Sequence, residues 1–131
     1  MNLQSLRIIT ADIKRLIDFY EKVTGKTANW LTEDFAEINT GSGTIAIGTT
    51  KTLAFFGETI AQPESNKTVI IEFRVENVDD NYSTVKNVTE DIVQQPTTMP
   101  WGNRSLLFRD PDGNLINFFT PVTPEAIERL S

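Results

Sequence analysis

The stretch Phe108-Arg109-Asp110-Pro111-Asp112-Gly113-Asn114-Leu115-Ile116-Asn117-Phe118-Phe119 decides the fold of this chain. Pro111 presets one backbone dihedral angle of a tight turn, and Gly113 accepts the positive φ that such a turn needs. The apolar residues on either side are typical of strands. The stretch therefore predicts a β-hairpin, with one strand over residues 105–109 and the other over residues 115–120.

The first quarter of the chain predicts a strand followed by an amphipathic helix. Residues 3–10 alternate and are rich in Leu and Ile, which is typical of a strand. Asp12 can cap the start of a helix, and Gly25 can end it in a left-handed conformation. The apolar residues between these caps fall on one helical face: Ile13, Leu16, Ile17, Tyr20 and Val23.

The same order of elements then occurs a second time. Strands are predicted near residues 27–31, 36–39 and 44–49, whereas residues 51–60 are ambiguous between linker and helical turn. After a loop come a strand at 68–76, a helical stripe at Val78, Tyr82, Val85 and Val88, and strands near 92–97, 105–109 and 115–120. Residues 124–130 can form a short helix. The prediction is an α+β fold built from two β-α-β-β-β modules.

Size, composition and charge limit the classes of function. The 131 residues fit one domain, with modules at about 1–60 and 67–122 and a short C-terminal tail. A net charge of −6 argues against nucleic acid as a partner, and no apolar run is long enough for a membrane span. With neither cysteine nor histidine, a disulfide framework and a Ser-His-Asp or Cys-His nucleophile are impossible. We expect a cytoplasmic protein.

Two segments carry a resemblance to a known family. The closing hairpin, preceded by Pro100-Trp101-Gly102-Asn103-Arg104, resembles that of the vicinal oxygen chelate superfamily of glyoxalases, bleomycin resistance proteins and extradiol dioxygenases. The opening pattern Asp-Ile-x-Arg-x-x-x-Phe-Tyr-x-x-x-x-Gly, residues 12–25, resembles the same group. The resemblance implies that the two modules form a curved mixed sheet around a shared cup.

Alternation along the strands predicts which side chains face this cup. The apolar sets should lie under the helices, which places Leu6 and Ile8 there in the first module and Ile71, Phe73, Val75, Ile116 and Phe118 in the second. The remaining side chains should face the cup: Ser5, Arg7, Ile9, Ile70, Glu72, Arg74, Leu115, Asn117 and Phe119. Two alternatives stay open. Arg7, Glu72 and Arg74 could form a structural salt-bridge cluster, and Trp101 could be core, rim or dimer contact instead of a stacking surface.

The resemblance also implies four metal-ligand positions, and the residues at these positions do not suit a metal. By strand position the ligands of metal-dependent relatives fall at Ser5, near Ile47 (give or take a residue), at Ile70 and at Asn117. A catalytic divalent cation needs two or three imidazole or carboxylate ligands, so we expect no metal and no other cofactor. A shifted site that combines Glu72 with Asp110 or Asp112 is less favoured, because the turn explains both aspartates.

The residues and the resemblance together favour a metal-independent protein that binds a small organic molecule. It is similar to the metal-free bleomycin-resistance branch, which implies a homodimer and a cationic or aromatic ligand such as an antibiotic. The candidate ligand-binding residues are Ser5, Arg7, Ile47, Ile70, Glu72, Arg74, Trp101, Asn117 and Phe119. Two alternatives remain: a glyoxalase- or dioxygenase-like lyase or isomerase, metal-free or with an atypical metal site, and a module whose filled cup acts through protein contacts.

Overall fold

The computed structural model describes all 131 residues, which form two compact units, Met1–Asn66 and Lys67–Ser131. Each unit contains one four-stranded mixed sheet, and each repeats the order β-α-β-β-β. The predicted α+β fold is therefore confirmed. No helix in either unit has the length and apolar character that crossing a bilayer requires.

The Met1–Asn66 unit is built around strands β1 to β4. Its elements are β1 (Leu6–Thr10), α1 (Ile13–Thr24), β2 (Asn29–Thr32), β3 (Phe35–Asn39) and β4 (Thr44–Thr49), followed by a 3-10 helix at Thr50–Leu53. The strand order is β1-β4-β3-β2. Strand β1 runs parallel to β4, and the other pairs are antiparallel. The ambiguous segment 51–60 thus contributes one short helical turn.

The Lys67–Ser131 unit has the same topology. Its elements are β5 (Ile70–Arg74), α2 (Val78–Val88), β6 (Ile92–Thr98), β7 (Asn103–Arg109), β8 (Leu115–Pro121) and α3 (Pro124–Arg129). The strand order is β5-β8-β7-β6, with β5 parallel to β8 and both other pairs antiparallel. The crossover through α2 brings β6 into the direction of β5, and the two antiparallel reversals into β7 and β8 then make β8 parallel to β5.

The boundaries of α1 follow from its two caps. The Asp12 side chain accepts a hydrogen bond from the backbone N–H of Arg15, at 3.1 Å. Gly25 adopts φ 70° and donates its N–H to the carbonyl of Glu21, at 2.9 Å. Glycine suits this position because a left-handed conformation is strained for residues with a Cβ atom. Both caps were predicted from the sequence.

The closing hairpin is held by one buried carboxylate. Asp110 Oδ1 accepts hydrogen bonds from the backbone N–H groups of Asp112 and Asn114, both at 2.9 Å, and Oδ2 accepts from Asn114 Nδ2 at 2.8 Å. Gly113 has φ 85°. The turn itself uses the oxygens of Asp110, which confirms the turn role predicted for this aspartate.

Each sheet buries one face under its helix. In the second unit this face holds Ile71, Leu106, Phe108, Ile116 and Phe118, and Phe118 packs edge-to-face on Phe73 and Phe108, with ring centroids 5.4 and 5.0 Å apart. In the first unit it holds Ala36, Ile38, Ile45 and Ile47, against which α1 packs. Ile8, Phe73 and Val75 of the predicted core are half-buried, and one predicted core residue is exposed. Leu6 lies in register with Ile45 but is 44% exposed, because it begins the edge strand β1.

The two edges of each sheet differ in regularity. Strands β1 and β5 pair with their neighbours over five consecutive residues without interruption. Strand β2 has a register shift between Trp30 and Thr32, and β6, which contains Pro96, has two shifts. Such shifts bend an edge strand and interrupt its ladder of hydrogen bonds.

Candidate functional site

The face of the second sheet that the core does not use carries the largest group of the predicted site residues. Strand register pairs Ile70 with Leu115, Glu72 with Asn117, and Arg74 with Phe119. Paired residues of neighbouring strands point to the same side of a sheet. We call this surface the Glu72 face; it comprises Ile70, Glu72, Arg74, Leu115, Asn117, Phe119, Asn103, Ser105, Leu107 and Arg109.

A hydrogen bond joins the two polar residues at the centre of the Glu72 face. Asn117 Nδ2 donates to Glu72 Oε2 at 2.8 Å. The other amide atom, Asn117 Oδ1, is out of contact with solvent and accepts no hydrogen bond. A buried acceptor without a donor is costly, and most such groups in proteins have a partner. The pair therefore presents an exposed carboxylate that the Asn117 amide orients.

The arginines of this face are held at its ends. The Arg74 guanidinium donates to the carbonyl of Leu130, and Arg109 donates to the carbonyl of Gly113 at 3.0 Å. Glu72 forms no ion pair with Arg74. Glu72 therefore takes no part in the salt-bridge cluster that was the structural alternative. No basic side chain of the unit pairs with its carboxylate.

Two further polar residues of β7 belong to the same face. Ser105 is buried, and Asn103 Oδ1 is a second buried oxygen without a hydrogen-bond partner. Sequence reasoning missed both, although the alternation of β7 placed them opposite the buried Leu106 and Phe108. The face thus combines several acceptor atoms with the apolar surfaces of Leu115 and Phe119.

Trp101 lies in the turn before β7 and is 58% exposed. It is not a core residue. Its backbone carbonyl accepts a hydrogen bond from Arg129 at 3.4 Å, which ties the turn to α3. The next residue, Gly102, packs closely against Thr123 and Ala126. The indole ring is therefore carried by an anchored turn and remains open to contact.

The first sheet places a different set of predicted residues together. Arg7 is exposed, and its guanidinium lies over the ring of Phe35, with the central carbon 5.3 Å from the ring centroid. We call this surface the Arg7 face; it comprises Arg7, Ile9, Phe35, Glu37, Ala46 and Gly48. Ser5 precedes β1 and is half-buried. Phe35 was missed because the predicted strand began one residue too late.

Ile47 lies on the other face of the first sheet. It pairs with Ile8 and Ala36 and is fully buried. The prediction that placed Ile47 together with Arg7 is therefore corrected, since a shift of one residue along a strand reverses the face. Ala46 is the residue of β4 that lies in register with Arg7.

The side chains present do not suit the divalent metal that the family resemblance implies. No three His, Cys, Asp or Glu side chains lie close enough together to share a metal ion. At the four implied ligand positions, Ile47 and Ile70 offer no donor atom, and the Asn117 amide is bonded to Glu72. Serine hydroxyl and amide oxygens are poor ligands for a catalytic zinc-type ion.

A family model and one curated protein resemble this chain in sequence. The model of the Glyoxalase/Bleomycin resistance protein/Dioxygenase superfamily matches residues 2–118. The uncharacterized protein YraH of Bacillus subtilis (strain 168) is 28% identical over 125 residues, which cover 91% of this chain and 98% of YraH.

Solved structures with lower identity resemble the fold. A glyoxalase/bleomycin resistance protein/dioxygenase family enzyme from Burkholderia phytofirmans PsJN superposes with a TM-score of 0.84 at 17% identity, covering 93% of this chain and all of the other. A glyoxalase/bleomycin resistance protein/dioxygenase from Nocardioides superposes with a TM-score of 0.76 at 19% identity, covering 95% of this chain and 85% of the other. At these identities the likeness concerns the fold alone.

Proposed function

Since this chain belongs to the glyoxalase/bleomycin resistance protein/dioxygenase superfamily, we propose that it binds a small organic molecule on its Glu72 face without a metal ion. The unsuited donor set supports the metal-independent part of this proposal. Binding alone, without a chemical step, would then sequester the compound. The cytoplasm is the compartment we propose, in keeping with the absence of cysteine.

The observation that carries the proposal is the Glu72–Asn117 pair. Asn117 orients the carboxylate through one hydrogen bond and leaves its own Oδ1 atom buried without a donor. A cationic ligand with an N–H group would donate to the exposed Glu72 carboxylate that Asn117 orients and would neutralise its charge. Charge-assisted hydrogen bonds of this kind are shorter and stronger than neutral ones.

The chemistry of this face favours an organic cation with an apolar body. Glu72 supplies the charge, while Phe119 and Leu115 offer half-buried apolar surface on the neighbouring strand. Small-molecule sites commonly combine a few fixed polar groups with such a surface. The indole of Trp101 is exposed, and we propose it as a further stacking surface for the ligand. A cationic aromatic antibiotic is one compound of this class.

A thermal-shift screen tests the proposal. One arm contains aromatic ammonium and amidinium compounds and cationic antibiotics, and the other contains Zn²⁺, Ni²⁺, Mn²⁺, Fe²⁺ and Mg²⁺. A compound that binds only the folded protein raises the melting temperature by mass action. We expect stabilisation by at least one organic cation and none by the metals. A clear metal response would favour the lyase or isomerase alternative with an atypical metal site.

Two variants assign the binding to the proposed residues. Glu72→Gln should weaken a cationic hit about three- to tenfold, between the worth of an exposed ion pair and that of a charge-assisted hydrogen bond. Glu76→Gln is the matched control, because Glu76 is an exposed carboxylate just beyond β5. Trp101→Ala should weaken an aromatic hit by about 1–3 kcal/mol through lost stacking, with little change in stability. Equal affinities in Glu72→Gln and wild type would remove Glu72 from the site.

We also propose that the protein is a homodimer. The regular edge strands β1 and β5 leave exposed apolar side chains at Leu6 and Ile70. Open edges of this kind are commonly covered by another chain. A second copy of the same chain is the partner that we propose, since most soluble oligomers are homo-oligomers.

A further inference from the structure

The Arg7 face carries a guanidinium group that no protein group pairs with. Arg7 lies on the Phe35 ring and forms neither an ion pair nor a hydrogen bond with any protein group. Its N–H donors are therefore all open. A guanidinium that lies over an aromatic ring is already held in place. It therefore loses little conformational freedom when it binds a planar anion.

Arg7 is the exception among the six arginines of the chain. Each of the other five has a carboxylate or a backbone carbonyl as a partner. The partners are Glu64 for Arg15, Leu130 for Arg74, Asp79 for Arg104, Gly113 for Arg109 and Trp101 for Arg129.

A carboxylate within reach does not pair with Arg7. Strand register aligns Arg7 with Ala46 and Ala46 with Glu37, so two strand spacings of about 9–10 Å in total separate Arg7 from Glu37. Glu37 is half-buried and forms no ion pair. Extended side chains can bridge such a separation, yet the guanidinium lies on Phe35. Ala46 lies between the two charged residues, and its short side chain leaves the space between them unfilled.

Two features make this surface apolar and fixed beside the guanidinium. Ile9 and Phe35 flank it on the same face. Gly48 has no side chain, and a Cβ atom there would lie 2.8 Å from Thr52 Oγ1 and 3.5 Å from the Phe35 ring. The 3-10 helix therefore packs directly against the strand next to Phe35, and a larger residue at position 48 would displace it.

From these contacts we infer that Arg7 and Phe35 form a binding site for a small apolar monocarboxylate. The guanidinium fork matches the two oxygens of a carboxylate, and Phe35 with Ile9 contacts the apolar body. The negative charge of Glu37 on the same face disfavours dianions such as phosphate esters. This site uses residues of the Met1–Asn66 unit, whereas the proposed cation site uses residues of the Lys67–Ser131 unit.

Titration with benzoate tests the inference. Binding is monitored by the NMR signals of the arginine Nε–H groups and of the Ala46 amide. We expect a saturable shift of the Arg7 signal, and benzylamine at the same concentrations should leave it unchanged. Arg7→Lys, which keeps the charge but loses the fork, should weaken benzoate binding about tenfold. Phe35→Leu should weaken it about threefold while the Arg7 charge stays.

Matched controls decide whether the effect is specific. Arg15→Gln removes one exposed arginine of the same unit and should leave benzoate affinity unchanged. Glu37→Gln should tighten benzoate about twofold, because one like charge is removed at this separation. Circular dichroism establishes that each variant is folded. No saturable shift in the wild type, or equal losses in Arg7→Lys and Arg15→Gln, would overturn the inference.

Discussion

Gly102 combines two reasons for having no side chain. Its φ is 94°, and a Cβ atom there would lie 2.1 Å from Thr123 Oγ1 and 2.9 Å from the Ala126 side chain. Gly102→Ala should therefore destabilise the protein by about 2–5 kcal/mol, from backbone strain plus overpacking. Urea denaturation measures the change in the free energy of unfolding.

Gly113→Ala is the control for the strain alone. Gly113 has φ 85°, but nothing lies within 4 Å of the added Cβ atom. Its cost should be about 1–2 kcal/mol. Equal costs for the two variants would mean that the contacts with Thr123 and Ala126 contribute nothing.

At the level of single residues, the sequence predicted which polar and charged residues share a face better than it predicted the contacts that these residues make. Alternation placed Glu72 and Asn117 on one face of the second sheet, but it could not reveal their hydrogen bond or the buried, unpaired Oδ1 atom. Ile47 was assigned to the wrong face because its strand has apolar residues on both sides, so that no polar residue marks the register. The Arg7–Phe35 contact was not predictable, because it joins two strands that are far apart in sequence.

An ion pair joins α2 to β7 on the helix side of the second sheet. Arg104 Nε lies 2.8 Å from Asp79 Oδ2, and a second bond of 3.0 Å joins the same groups. The hydrogen bond from Arg104 lowers the pKa of Asp79 below its ordinary value, with a smaller contribution from its positive charge.

The pair should make stability depend on acidity. Because the pKa of Asp79 is lower in the folded chain than in the unfolded one, its contribution is present above the ordinary aspartate range and is lost as the pH falls through the folded value. Arg104→Gln should be less stable than wild type at pH 7, and the two should converge once the pH falls below the lowered pKa of Asp79. Thermal unfolding from pH 2 to 7 tests this, with Asp79→Asn/Arg104→Gln as the control, which should match Arg104→Gln at low pH.

Helices and the closing hairpin were predictable because their signals are local. Asp12 and Gly25 cap α1 within a few residues of its apolar stripe, and Asp110 folds the turn around itself. Strands β1 and β5 were predicted too long, because pairing with β4 covers only Leu6–Thr10 and pairing with β8 covers only Ile70–Arg74.

For the whole molecule, we expect a mass of twice the 14.7 kDa chain in light scattering coupled to size exclusion. The exposed apolar side chains of the regular edges are the physical reason. Ile70→Lys places a charge on such an edge and should shift the population toward the monomer. A single-chain mass for the wild type at about 0.1 mM would contradict the proposed homodimer, since an obligate pair remains associated at that concentration.

The difference between the two edges of each sheet limits where a further strand can be added. Hydrogen bonding can continue smoothly only at β1 and β5, whereas the shifted ladders of β2 and β6 offer an added strand no matching register. Each four-stranded sheet thus has one edge that can accept a further strand and one edge that cannot. Pro96 and the bulge beside Trp30 therefore restrict the addition of a further strand to one edge of each sheet.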